Sequence, residues 1–280
     1  MRVRKTAEQP GVLLRFLYQN PVGRGVLRLL THPALSKVAG RFLDSRCSRV
    51  LIRPYIRHYQ MDLSPYERAD YPSFNAFFTR KIRPECRPFV QEDDALASPC
   101  DGKLSVYPVS AGTVFPVKGS SYTVGQLLRD EELAAQFYGG YCFVFRLTVD
   151  DYHRYCYFDS GQKGDNIALP GRLHTVRPIA LERNQVFCEN SREYTVIESD
   201  HFGRAVQMEV GALMVGRIRN YHQAKWVRRG EEKGRFEFGG STVILLLQEE
   251  RVRPAQALLD ATANGWETEV RCGEQIGVGS

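Results

Sequence analysis

The 280-residue chain has no run approaching the roughly 18 to 20 consecutive apolar residues that a membrane-spanning helix requires. Its longest candidate, Val243 to Leu247, is strand-sized. Paired cysteines are also missing. The seven, at positions 47, 86, 100, 142, 156, 188 and 272, are odd in number, scattered and free of any CxxC spacing. That argues against a disulfide framework and against a zinc site, and makes a reducing compartment the simplest expectation. Histidine is scarce, and His32, His58, His201 and His222 show no ligand spacing, so they read as structural or surface residues and no metal is expected. Arg15, Arg24 and Arg28 interrupt any apolar core of a secretory signal. Internal repeats, low-complexity tracts and long linkers are absent. What is present, 43% hydrophobic residues, is enough to fill a core and excludes a disordered tail protein.

Positive charge is concentrated at one end. Residues 1–57 hold twelve Lys and Arg against Glu8 and Asp44, a balance of +10, so the formal +6 leaves −4 for residues 58–280. Within the basic end, Val12 to Phe16, Val26 to Leu30 and Leu35 to Leu43 carry apolar residues at helical spacing, interrupted by Arg15, Arg24, Arg28, Lys37 and Arg41. Short basic amphipathic helices of this kind suit an anionic membrane surface. A helical cap with a solvated basic face is the other reading of the same pattern. Nucleic acid is not expected, because stacking aromatics are not interleaved with the basic residues.

Beyond Pro54 the texture changes. Ser73 to Thr79 reads as a short helix with Ser73 as N-cap, followed by a proline-punctuated connector. Strand-like runs bounded by turn residues then dominate: Lys103 to Val109, Gly112 to Val117, Tyr141 to Val149, Gly171 to Val176, Arg192 to Glu198, Ala205 to Val215 and Ser241 to Gln248. Helices are expected near Val124 to Phe137 and Pro254 to Ala263. The expected fold is α+β: a mainly antiparallel β-sandwich or barrel-like core with peripheral helices. Residues 1–70 would form a basic helical extension and residues 71–280 one catalytic domain.

The segment GEEKGRFEFGGSTVILLL, residues 230–247, places a hydroxyl at a flexible corner beside the most apolar strand of the chain. Gly240 leaves its carbonyl open and its backbone free to adopt a strained geometry, so the Ser241 hydroxyl could attack it. The resulting ester could break by elimination to dehydroalanine, which hydrolysis would convert into an N-terminal pyruvoyl group. By spacing alone, Gly-Gly before Ser-Thr is more often a plain turn into a strand.

These residues nevertheless resemble the processing site of phosphatidylserine decarboxylase proenzymes, in which a Gly-Ser-Thr triplet, preceded here by Gly239, is the self-cleavage point. SFNAFFTRKIRPECRP (73–88), SPCDG (98–102), DYHRYCYFDSG (151–161), HTVRPIAL (174–181) and EVGALMVGRI (209–218) resemble blocks of the same family in the same order. The GGST form and the N-terminal block are most similar to the subgroup often called type II.

The resemblance implies a zymogen of phospholipid biosynthesis that cuts between Gly240 and Ser241 into chains of residues 1–240 and 241–280. It implies a covalent pyruvoyl cofactor derived from Ser241, and conversion of phosphatidylserine into phosphatidylethanolamine and CO2 through a Schiff base. Asp101 matches the aspartate of a charge-relay set, and His153 a histidine tied to decarboxylation. Without the resemblance, Asp101 reads as an Asp-Gly turn and His153 as a structural histidine. Many family members carry a second histidine where this chain has Cys156, a poorer base at neutral pH than imidazole. His153 serving both steps is the favoured resolution; His174 is the alternative imidazole, and cleavage with less base help is another. The expected location is peripheral, on the cytoplasmic face of the cell membrane, and a homo-oligomer is compatible with it. Two rival readings are a soluble pyruvoyl-dependent amino-acid decarboxylase and a non-cleaving membrane-surface binding protein.

Overall fold

The computed structural model describes residues 2–5, 33–112, 115–117, 120–148, 150–171, 190–211, 217–237 and 241–280. The N-terminal part holds strand β1 (Arg2–Lys5), helix α1 (Pro33–Asp44), a 3-10 turn (Arg46–Leu51), α2 (Ile52–Tyr59) and α3 (Phe74–Phe78). Next come β2 (Ala95–Ala97), β3 (Gly102–Pro108), β4 (Phe115–Val117), β5 (Ser120–Tyr122), α4 (Val124–Leu128), α5 (Glu131–Ala135), β6 (Tyr141–Leu147), β7 (Arg154–Cys156), β8 (Gly161–Lys163) and β9 (Ile167–Leu169). The remainder is β10 (Arg192–Ser199), β11 (Gly203–Gly211), β12 (Ile218–Asn220), β13 (Lys225–Val227), β14 (Glu232–Phe236), β15 (Ser241–Leu247), β16 (Val252–Pro254), α6 (Gln256–Ala263), β17 (Trp266–Val270) and β18 (Gln275–Gly279).

Ten strands form the main sheet in the order β1-β17-β3-β6-β15-β11-β10-β8-β13, with β9 also pairing β10. Small sheets β12-β14-β7 and β16-β18-β2 accompany it, and the described strand pairings are antiparallel. The fold is the expected α+β arrangement with a sandwich-like core. At its centre, β15 pairs with β6 on one side and β11 on the other. All seven of its residues are buried. Alternation sends Val243, Leu245 and Leu247 into an apolar layer with Phe143, Phe145, Tyr155 and Phe236. Ile244 and Leu246 face the opposite layer, with Leu127, Leu133 and Phe137 of the α4–α5 region. Each such aliphatic side chain contributes about 1.5–3 kcal/mol by leaving water, which is why the most continuous apolar run becomes the central strand.

The expected strands at Lys103 to Val109, Tyr141 to Val149, Arg192 to Glu198, Ala205 to Val215 and Ser241 to Gln248 reappear as β3, β6, β10, β11 and β15, with small shifts at their ends. Of Gly112 to Val117, Phe115–Val117 forms β4, hairpin-paired with β5, and residues 113 and 114 lie outside the described residues. Gly171 to Val176 falls largely outside the described residues, as do the helices expected at Val12 to Phe16 and Val26 to Leu30. The single helix expected over Val124 to Phe137 is two. Thr123 and Gln126 form a capping box on α4, Arg129 then turns left-handed at φ 54°, and Asp130 caps α5 by accepting from the Leu133 amide at 2.9 Å. Ser73 does cap α3, accepting from the Ala76 amide at 3.1 Å.

The N-terminal helices build their own small core. Leu43, Phe74, Phe77 and Phe78 are buried there, with Ile52, Tyr55, Ile56 and Tyr71 packed against them, so the cluster draws on both sides of residue 70. Outside it, Val38, Phe42, Val50 and Leu51 are exposed on α1 and the 3-10 turn. Among the described residues no helix is long and apolar enough to cross a membrane.

One ion pair ties the β12-β14-β7 sheet to the main sheet. Lys233 on β14 donates to Glu209 on β11 at 2.5 Å and to the side-chain Oδ1 of Asn220 at 2.9 Å, and both charged side chains are fully buried. Burial pushes the Glu209 carboxyl up and the Lys233 ammonium down, each against the pull of the other. Lys233→Met, which strands Glu209 without its counter-charge, is expected to lower unfolding free energy by about 3–5 kcal/mol, whereas Lys233→Met/Glu209→Leu recovers most of the loss. Urea titration of both variants checks this; equal losses in the single and double variants would contradict a paired clamp.

Candidate active site

Antiparallel pairing brings four chain ends to one edge of the main sheet. Ser241 opens β15, opposite Leu147 at the end of β6 and Gly211 at the end of β11. Asp101 immediately precedes β3, which pairs with β6. Thr148 to His153 continue from β6 toward β7. The corner after β6 is tied back by Asp151, whose carboxylate accepts from the Thr148 amide at 2.6 Å and the Thr148 hydroxyl at 2.9 Å. Lys103 of β3 reaches the same corner, donating to Thr148 Oγ1 at 2.7 Å with Asp151 3.6 Å away. Burial raises the Asp151 carboxyl above the usual carboxylate range, opposed by Lys103.

Ser241 has no solvent exposure, and its Oγ has no hydrogen-bond partner among the described residues. A buried hydroxyl in that state costs about 1–3 kcal/mol, a cost consistent with a group kept for chemistry rather than stability. The alternation that sends Val243 and Leu245 into the layer with Phe236 and Tyr155 puts Ser241 on the same face. His153 is fully buried, its backbone carbonyl accepts from the Phe236 amide at 2.9 Å, and its ring lies 4.2 Å from that of Phe78, a member of the N-terminal helical core. His153 Nδ1 is 2.9 Å from the Asp151 carbonyl oxygen. A carbonyl only accepts, so Nδ1 carries the hydrogen and Nε2 is the basic nitrogen of the neutral ring.

Asp101 is held by three donors. Arg87 donates to both of its oxygens, Nε to Oδ1 at 2.9 Å and Nη2 to Oδ2 at 2.6 Å, and the Cys272 amide donates to Oδ1 at 2.8 Å. Cys156 lies on that side too. Its amide and the Cys272 thiol both donate to the Pro99 carbonyl, at 2.8 and 3.4 Å, and a hydrogen bond with Cys156 together with burial pushes the Cys272 thiol well up. Position 156 therefore stands at the Asp101 corner, while His153 stands against Phe78 and Phe236. Gly240 and His174 lie outside the described residues.

Residues 74–278 match the protein family described as phosphatidylserine decarboxylase. The chain belongs to that family. It is 45% identical over 265 residues to phosphatidylserine decarboxylase proenzyme 2 of Clostridium acetobutylicum, covering 94% of this chain and 91% of that protein. Phosphatidylserine decarboxylase proenzymes of Desulfitobacterium hafniense and Clostridium novyi are 38% and 36% identical, each over at least 94% of this chain and 91% of the relative. Family membership agrees with a buried serine hydroxyl at the head of the central strand.

Three contributors to this decarboxylase-family site were not visible in the sequence. Arg87 lies within the quoted 73–88 block, but nothing in its spacing pairs it with Asp101. Phe78 reads as an ordinary helix apolar residue, and Cys272 is 171 residues from the aspartate it bonds. Arg87→Met is expected to destabilise the chain by about 1.5–3 kcal/mol, because Asp101 keeps its charge and loses its bidentate donor. Arg87→Met/Asp101→Asn should be milder than Arg87→Met alone, since Asn still accepts from the Cys272 amide. Thermal unfolding of the two variants decides it, and a double variant weaker than the single would contradict a compensated pair.

Proposed function

We propose that this chain is a phosphatidylserine decarboxylase proenzyme that cuts itself between Gly240 and Ser241, and that the new N-terminus at Ser241 becomes a covalent pyruvoyl group. Family membership makes it a carboxy-lyase. The observation that carries the reading to particular residues is the Ser241 hydroxyl, buried and unpartnered among the described residues, at the head of the central strand. In the proposed processing step, Ser241 Oγ loses its proton to a base and attacks the Gly240 carbonyl carbon, and the Gly240–Ser241 C–N bond gives way to an ester. Elimination then releases the Gly240 carboxylate, and hydrolysis of the resulting dehydroalanine releases ammonia.

We assign the base to His153. Its Nε2 is the basic nitrogen, its ring is held by Phe78 and by the Asp151 carbonyl, and its backbone is hydrogen-bonded to Phe236, four residues before Gly240. A pyruvoyl group at residue 241 would supply a carbonyl that condenses with the substrate amine, with loss of water, and an electron sink for the pair left at Cα when CO2 departs. His153 would take the proton that the substrate ammonium gives up on condensation and return it to Cα. The buried layer around Phe236 and Tyr155 keeps water from competing for the developing charge. Asp101 acts in this scheme as a fixed anion at the sheet edge, orienting the β2–β3 corner through Arg87 and the Cys272 amide. Ser241→Ala should remain a single whole, inactive chain, and His153→Ala should slow cleavage by about 10²–10⁴-fold, while His174→Ala cuts at near-normal rate. Intact-protein mass spectrometry reads all three, and cleavage of His153→Ala at the normal rate would move the base elsewhere.

The N-terminal helical group is proposed to face the lipid, as a peripheral contact on the cytoplasmic side of the membrane. Val38, Phe42, Val50 and Leu51 are exposed beside the exposed cations Arg41, Arg46 and Arg53. Apolar side chains that insert and cations that attract anionic headgroups fit such a dock. Phe42→Asp/Val50→Asp should abolish most vesicle association. Binding of the unaltered chain should require anionic lipid and weaken as the screening length falls from about 10 Å at 0.1 M salt to about 3 Å at 1 M. Vesicle co-sedimentation checks this, and equal binding to neutral vesicles at both salts would contradict it.

A further inference from the structure

A cleft of about 520 Å³ opens between the α3 region and strands β7, β12 and β14. Six cations line it (Arg80, Lys81, Arg154, Arg217, Arg219 and Arg235), against the carboxylates of Asp44, Glu67 and Glu237. Three of the cations converge on one acid. Glu237, buried, is approached by Arg217 at 3.0 Å, Arg235 at 3.6 Å and Arg219 at 3.7 Å. One carboxylate among three guanidiniums leaves two positive charges in excess at that point. Arg154 is matched by Glu232.

Arg80 is the more telling member. It is 2% exposed and lies over the rings of Tyr66 and Phe77 at 4.2 and 5.1 Å. It has no carboxylate partner among the described residues: Nη1 donates to the Phe77 and Phe78 carbonyls at 3.4 Å and Nη2 to the Tyr66 hydroxyl at 3.1 Å, while Nε has no acceptor there, so its positive charge is left without a counter-ion. The Nε of Arg235 is likewise buried without an acceptor among the described residues. Buried cationic donors in this state are costly, and the cost is offset when an anion enters. The guanidinium fork matches phosphate oxygens, and the mixture of exposed arginines at the mouth with a buried arginine inside suits one compact anion rather than a flat bilayer surface.

Residues of the cleft are also close in sequence to those of the proposed chemistry. Arg154 follows His153, Glu237 precedes Ser241 by four residues, and Arg80 follows Phe78, whose ring contacts His153. We infer that this cleft binds the phosphodiester of the lipid headgroup, with Arg217, Arg219 and Arg235 as its donors at the mouth and Arg80 within. The inference rests on the phosphatidylserine decarboxylase reading and adds to it a specificity site for phosphate.

The test separates the two. In the full-length Ser241→Ala chain, which cannot consume a ligand, glycerophosphoserine and inorganic phosphate are titrated by calorimetry, with and without Arg217→Ala/Arg219→Ala. Glycerophosphoserine should bind about tenfold or more weakly once the two arginines are gone, and inorganic phosphate should bind more weakly than glycerophosphoserine throughout. Unchanged affinity in the double variant overturns the cleft assignment. Phosphate binding as tightly as glycerophosphoserine assigns the cleft to free phosphate and overturns the headgroup. In the processed enzyme, Arg217→Ala/Arg219→Ala should raise KM for short-chain phosphatidylserine about tenfold with kcat within about twofold, and Arg217→Lys/Arg219→Lys should recover part of the loss. A fall in kcat at constant KM contradicts a binding role. If the unaltered chain neither cuts nor releases CO2 while glycerophosphoserine still binds in an arginine-dependent way, the enzymatic reading fails and the cleft stands.

Discussion

Everything at the site depends on burying β15 from both sides. Its residues are apolar on both faces, so the strand is stable only between two covered layers, with β6 and β11 satisfying its backbone. The α4–α5 region supplies one cover, and the β12-β14-β7 sheet contributes to the other. Ser241 is the first residue of that strand and inherits its burial. A hydroxyl there is dry and fixed in direction, where the same residue in an open turn would be solvated and mobile.

Covering β15 with a second, small sheet creates an electrostatic problem that the structure answers with closed pairs. Lys233 and Glu209 neutralise each other between the layers, and Arg87 neutralises Asp101 at the rim. In both cases the gain is one of position more than of stability, because pairing mainly offsets the desolvation of the two charges. The consequence for chemistry is a division of space. Asp101, Cys272 and Cys156 form one corner, and His153 with Phe78 and Phe236 forms another. The cysteine that replaces an expected histidine therefore sits on the Asp101 side, and the histidine that remains packs its ring on Phe78.

Helix α3 joins two tasks. Phe74, Phe77 and Phe78 fill the core of the N-terminal helical group, and Phe78 also meets the ring of His153. The Thr79 carbonyl just beyond accepts from Arg154 Nε at 2.8 Å. A group of helices with exposed apolar and cationic residues is in this way braced against the residues proposed to do the chemistry, and the arginine-lined cleft opens at the same junction.

Much of this was legible in the chain. The continuous apolar run after Gly-Gly-Ser-Thr marked the central strand, because only a strand covered on both faces needs such a run. Ser73 marked a helix start because its side chain replaces a missing backbone acceptor, and ordered motif blocks pointed to the family. Short strands such as β7, β8 and β12 left no readable period, since three residues are too few to show alternation. The break at Arg129 was hidden because a left-handed residue needs no glycine when its neighbours enforce it. By itself the sequence determined the candidate residues Asp101, His153 and Ser241 and the chemistry their types permit. Only the tertiary structure decided which of them share a space: Arg87, Cys272 and Glu209 meet their partners across 14, 171 and 24 residues, and such distant pairings are set by strand register and layer packing rather than by local pattern.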